Sequence, residues 1–153
     1  MADTITILVG TMTGTAELVA QDVEPELQDA GYSVEILDMD GLDSSVFDRS
    51  GDFLICTSTY GQGEVPDNAV AFYESLQSDK PDLSNIRFGI IGLGDSTYSD
   101  TYNFGGQRFE KLLTELGAKM IGERMAHNAS SDDLPEDMAL TWIADWIPLL
   151  KSA

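Results

Sequence analysis

The stretch Gly10-Thr11-Met12-Thr13-Gly14-Thr15-Ala16-Glu17 places three hydroxyls and two glycines at one junction. It follows the apolar run Ile5–Val9 and precedes a helical pattern carried by Leu18, Val19 and Val23. A turn that opens a helix is a natural anion seat, because the first N–H groups lack intrahelical partners and the helix dipole adds partial positive charge. Thr11, Thr13 and Thr15 add hydroxyl donors. No lysine or arginine occurs before Arg49, so the anion must be held by neutral groups. A nucleotide-hydrolysing loop needs G-x-x-x-x-G-K-[ST]; here Thr15, Ala16 and Glu17 stand where its Gly, Lys and Ser/Thr belong. The dinucleotide pattern G-x-G-x-x-G fails at Met12. A terminal phosphate monoester, bound but not transformed, suits these residues. A threonine-rich helix start that only caps itself accounts for the hydroxyls equally well.

Two further clusters bear on that choice. Thr57 to Asn68 contains Thr59-Tyr60-Gly61-Gln62-Gly63-Glu64, and Leu93 to Gly106 contains Gly94-Asp95-Ser96-Thr97-Tyr98 and Tyr102-Asn103. Each sets a tyrosine beside glycines. A flat heteroaromatic ring gains offset stacking between two aromatic faces, and glycines let backbone groups reach its edge without a Cβ in the way. One loop for a phosphate and two for a ring describe a mononucleotide with a large planar base. Taken singly, Tyr60 and Tyr98 read as aromatics that anchor their own loops.

These loops need a frame that brings them together. Strand candidates are Thr4–Val9, Ser33–Leu37, Asp52–Thr57, Ile86–Gly92 and Lys119–Arg124. Helical patterns cover Gly14–Ala30, Asp67–Gln77, Gly105–Leu116 and Leu134–Leu150, with Asp43–Asp48 ambiguous. Alternating strands and helices predict a parallel sheet covered on both faces. Ligands in such sheets bind beyond the carboxyl ends of the strands, which is where the first, third and fourth strands deliver the three loops. Pro25, inside the first helical pattern, is expected to remove a backbone bond and bend the helix.

The three motifs in this order resemble the flavodoxin family. The threonine turn is similar to its phosphate loop [ST]-x-T-G-x-[TA]. Thr59-Tyr60-Gly61-Gln62-Gly63-Glu64 with Pro66-Asp67-Asn68-Ala69, and Leu93-Gly94-Asp95-Ser96-Thr97-Tyr98, resemble the two ring loops. The likeness spans nearly the whole chain and is strongest to short-chain, MioC-type members and to the FMN domains of diflavin reductases. Two departures stand out: Ala16 replaces a hydroxyl residue, and one extra residue separates Tyr98 from Tyr102-Asn103.

The resemblance implies a flavodoxin-like three-layer α/β sandwich, with a five-stranded parallel sheet in the order 2-1-3-4-5 and residues 1–153 forming a single FMN-binding domain. FMN phosphate would rest on Thr11, Met12, Thr13, Gly14, Thr15 and Ala16. Tyr60 and Tyr98 would cover the two ring faces. Thr59, Gly61, Gln62, Gly63, Leu93, Gly94, Asp95, Tyr102 and Asn103 would complete the site. The flavin carries the chemistry while the protein tunes it. A Gly61 carbonyl turned toward the N5 edge would separate the two one-electron steps, and surrounding carboxylates would make the second step a low-potential one. The implied role is a one-electron carrier with no catalytic acid, base or nucleophile of its own. Its implied partners are a basic-surfaced NAD(P)H-dependent flavodoxin reductase and an acceptor oxidoreductase. An FMN-dependent NAD(P)H:quinone or nitro reductase is the alternative. A flavin-free response-regulator-like module would need a phosphoacceptor aspartate where Thr57 follows Cys56.

Composition agrees. At 153 residues the chain can bury roughly 70% of its unfolded surface as one domain. Twenty-seven acidic against eight basic residues give a net charge of −19, which argues against nucleic acid and favours a soluble monomer that attracts basic partners. Glu64, Asp67, Asp95, Asp100, Asp132 and Asp133, in or near the ring loops, would steer such a partner; as solvated loop carboxylates they would need no role. There is no basic leader and no apolar run of membrane-spanning length, so a cytoplasmic location is expected. A single cysteine, Cys56, excludes an intrachain disulfide. The lone histidine, His127, reads as a surface loop residue, and no metal site is expected.

Overall fold

The computed structural model describes residues 4–10, 15–39, 42–48, 51–58, 67–84, 86–94, 104–122, 125–128 and 135–152. Among them are the strands β1 (Thr4–Gly10), β2 (Ser33–Asp38), β3 (Asp52–Ser58), β4 (Arg87–Gly94), β5 (Lys119–Met120) and β6 (Met125–Asn128). The helices are α1 (Thr15–Asp29), α2 (Asp67–Asp79), α3 (Phe104–Glu115) and α4 (Pro135–Ser152). All pairings are parallel, in the order β2-β1-β3-β4-β5, with β6 also on β4. The expected order is therefore present, and its fifth position is shared by β5 and β6.

Period-two alternation sorts the core into two layers. Ile5, Ile7, Val9, Leu54, Cys56 and Ile91 pack with Val19, Val23 and Leu27 of α1 and Ile143, Trp146 and Leu150 of α4. Leu8, Phe53, Ile55, Phe88 and Ile90 point the other way, toward Phe72 and Leu76 of α2 and Phe109 and Leu113 of α3. The central strands are thus apolar on both faces, as a covered parallel sheet demands. Helix α1 continues through the exposed Pro25 and stops at Gly31 (φ 100°), whose left-handed backbone lets Tyr32 N–H return to Leu27 O at 3.1 Å.

The ambiguous stretch near Asp43 forms a 3₁₀ turn, Ser44–Asp48. Asp43 accepts hydrogen bonds from the Ser45 N–H and hydroxyl, which hold its carboxyl below the usual range. The turn is kept because it buries Val46 and Phe47, the latter 4.8 Å from the Phe53 ring. Tertiary burial, more than local periodicity, decides this segment.

Cys56 is fully buried between β1 and β4, and desolvation pushes its thiol up to about 12. A thiolate is the reactive form, so the native protein should resist a thiol reagent at pH 8. The raised value also means that this residue favours the folded state below its unfolded pKa and loses that contribution as pH rises toward 12. Stoichiometric labelling only after adding denaturant is the expected result; rapid labelling of the native protein would contradict the burial.

No helix among the described residues is long and apolar enough to cross a membrane. No group of three or more His, Cys, Asp or Glu among them is placed to hold a metal ion.

Candidate functional site

The carboxyl ends of β1, β3 and β4 lie side by side. Gly10 is in register with Thr57, and Ser58 with Leu93. The chain leaves this edge after Gly10 and re-enters as α1 at Thr15, leaves after Ser58 and re-enters as α2 at Asp67, and leaves after Gly94 and re-enters as α3 at Phe104. All three candidate loops therefore start from one edge of the sheet, each ahead of a helix N-terminus.

Of the expected cofactor-binding residues, Thr15 and Ala16 form the start of α1, and Leu93 and Gly94 end β4. Thr11, Met12, Thr13, Gly14, Thr59, Tyr60, Gly61, Gln62, Gly63, Asp95, Tyr98, Tyr102 and Asn103 lie outside the described residues. So do Glu64, Asp100, Asp132 and Asp133 of the steering carboxylates, whereas Asp67 opens α2.

Two sequence readings need correction. Lys119–Arg124 is not one strand in a single register: β5 covers Lys119–Met120, and β6 at Met125–Asn128 pairs with β4 in a different register. His127 is not in a loop. It lies in β6, with Leu93 as its register partner, and Asn128 is paired with Gly94. The segment Met125-Ala126-His127-Asn128 is too short and too poor in β-branched residues to read as a strand. Pairing to β4 makes it one. The consequence for the site is a fourth chain segment at the same edge, beside the end of β4, which sequence patterning missed.

The N-terminal third of the sequence is one-sided in charge. Eleven carboxylates and no lysine or arginine precede Arg49, and five of them (Glu17, Asp22, Glu24, Glu26 and Asp29) are on α1. The first turn of α1 carries Glu17 and no cation, so an anion seated there would rely on N–H and hydroxyl groups of that turn. Such a donor set fits a phosphate monoester that is bound and left intact, since transfer of the phosphoryl group would require a cation to neutralise developing charge.

A doubly wound parallel sheet whose first, third and fourth strands end side by side at its topological switch point defines an α/β protein of the kind that binds ligands at that edge. The family follows from comparison: the Flavodoxin family model matches residues 7–142, and the chain belongs to the flavodoxin family. Protein MioC of Escherichia coli K12 is 42% identical over 151 residues, spanning 99% of this chain and 100% of that protein. Flavodoxin YqcA of the same organism is 35% identical over 147 residues, covering 96% and 98% of the two chains. A mutant form of a Pseudomonas aeruginosa flavodoxin superposes with a TM-score of 0.87 at 36% identity, covering 97% of this chain and 99% of that one. Membership carries the cofactor and the general role with it: the protein is an FMN-binding electron carrier.

Proposed function

We propose that residues 1–153 act as a single FMN-binding domain that accepts electrons one at a time from a reductase and passes them to an acceptor oxidoreductase, without turning over a substrate itself. The observation that carries this reading is the convergence of three helix-preceding loops on one sheet edge. In it, the first-turn N–H groups of α1, with Thr11, Thr13 and Thr15, hold the FMN phosphate. Tyr60 and Tyr98 cover the ring, exclude water from its faces and leave an edge for electron exchange. Thr59, Gly61, Gln62, Gly94 and Asp95 offer backbone groups to the ring edge. Bound FMN supplies the one-electron chemistry, and the chain supplies position and field.

The surplus of carboxylates selects a basic-surfaced partner and makes its association faster at low salt. Steering belongs to the summed field, because individual rim charges contribute little. We place the protein in the cytoplasm as a monomer.

An anaerobic reductive titration of the FMN-loaded protein tests the proposal. Two separated one-electron steps in the visible spectrum are the expected result. One concerted two-electron step, or rapid oxidation of NAD(P)H by the isolated protein, would instead identify a reductase acting directly on small molecules.

A further inference from the structure

The fifth sheet position contains a register step. Arg87 and Phe88 of β4 pair with Lys119 and Met120, whereas Ile91 to Gly94 pair with Met125 to Asn128. Moving from residue 88 to 91 on β4 therefore takes the partner from 120 to 125, so the partner carries two residues more than β4 over this interval. Were the first register continued, Met125 and Ala126 would stand beside Leu93 and Gly94. The extra pair of residues brings His127 and Asn128 there instead.

The step is anchored on one side chain. Ile121 N–H donates to Phe88 O at 2.8 Å, extending the β5 ladder by one bond. The carbonyl of the same residue accepts a hydrogen bond from the Trp146 indole Nε1–H at 2.9 Å. Gly122 then turns the chain with φ 71°, in the region that side chains disfavour, and a Cβ there would meet Leu149 Cδ1 at 3.2 Å and Trp146 Cδ1 at 3.5 Å. Trp146 is itself fixed. It is 1% exposed, stacks on Trp142 at 5.3 Å, and lies over Gly89 of β4 so closely that a Cβ would approach Trp146 Cε2 to 2.7 Å. The indole thus hydrogen-bonds the residue before the corner and occupies the space that a side chain on Gly122, or on Gly89 of the neighbouring strand, would need.

We infer that Trp146 is a positioning residue for the flavin site: by holding Ile121 and the Gly122 corner, it sets the register that places β6 beside the ring-loop end of β4. This rests on the reading that the residues following Gly94 meet the flavin. A register shift at an unanchored corner changes which residues flank that end, while the β5 rungs at Lys119 and Met120 stay in place.

The test compares Trp146→Phe with the wild-type protein in titrations of FMN fluorescence quenching by the apoprotein. Phenylalanine keeps an aromatic ring at the site and removes the N–H donor. FMN affinity is expected to fall about tenfold, and amide exchange of Met125–Asn128 to quicken by a similar factor. Asp52→Asn, at the opposite end of the sheet, serves as a destabilised control that should keep wild-type FMN affinity. If Trp146→Phe does not fold, Gly122→Ala carries the same comparison at the corner. FMN affinity within twofold of wild type, or an equal loss in the control, overturns the inference. A wild-type protein that binds no FMN overturns the flavin reading first, which separates the two failures.

Discussion

Replacing Arg87 by alanine should be the most destabilising single change among the surface-reaching residues. Arg87 Nε donates to Asp52 Oδ1 at 2.9 Å and Nη2 to Asp52 Oδ2 at 3.0 Å, a two-point contact between the first residues of β4 and β3. Its Nη1 reaches Leu150 O in α4 at 3.3 Å. The Asp52 side chain is only 7% exposed while that of Arg87 is 35% exposed. Truncation would leave a nearly buried carboxylate without its cation, a situation that costs about 3–5 kcal/mol. Water reaching the arginine places the expected loss near the lower end, about 3 kcal/mol. For a chain of this length that is a fall in Tm on the order of 6–12 °C. In an Asp52→Asn background the same truncation should cost much less, because no uncompensated charge remains. Urea unfolding of the four proteins measures the coupling. A loss below about 1 kcal/mol for Arg87→Ala would mean that the pair is held mainly in water and stabilises little.

Placing a carboxylate at the start of α1 should separate stability from function. Thr15→Asp puts a negative charge where the helix dipole favours one, which stabilises the helix by about 0.3–1 kcal/mol. On the proposed binding mode the same charge would stand in the seat of the FMN phosphate, itself carrying about −1.5 to −2 at pH 7. At ~5 Å and an effective dielectric near 20, each unit of like charge costs about 3 kcal/mol, so affinity should drop at least 100-fold. Thr15→Val, which removes only the hydroxyl, should weaken binding about fivefold. Binding isotherms and thermal melts of the two variants are the measurement. Wild-type affinity in Thr15→Asp would move the phosphate away from this helix.

The success of the sequence reading has a physical basis. Central strands buried on both faces announce themselves as continuous apolar runs, so Phe53–Cys56 and Ile90-Ile91 are recognisable without a structure. Helices with one buried stripe are equally plain, and α1 to α4 each begin within one residue of the expected position. What escaped recognition depends on contacts distant in sequence. The 3₁₀ turn at Ser44–Asp48 is held by Phe47 on Phe53 and Phe72. The interruption after Met120 is set by an indole 25 residues further along the chain. For the site, the motif order was legible because a parallel topology delivers the chain after β1, β3 and β4 to one edge of the sheet.

The Arg87 clamp also fixes where the ends of the folded unit lie. Ile5 stands in register with Asp52, and Asp52 is joined through Arg87 to Leu150, so the start of β1 and the last turn of α4 meet at one pole. The strand ends Gly10, Ser58 and Gly94 occupy the other. On the proposed function, anything joined at Thr4 or Ser152, whether a surface, an electrode or a redox enzyme, would attach on the side facing away from the edge where the flavin exchanges electrons. In a fusion, the linker must be long enough to wrap half the circumference of the domain before the two redox centres can touch.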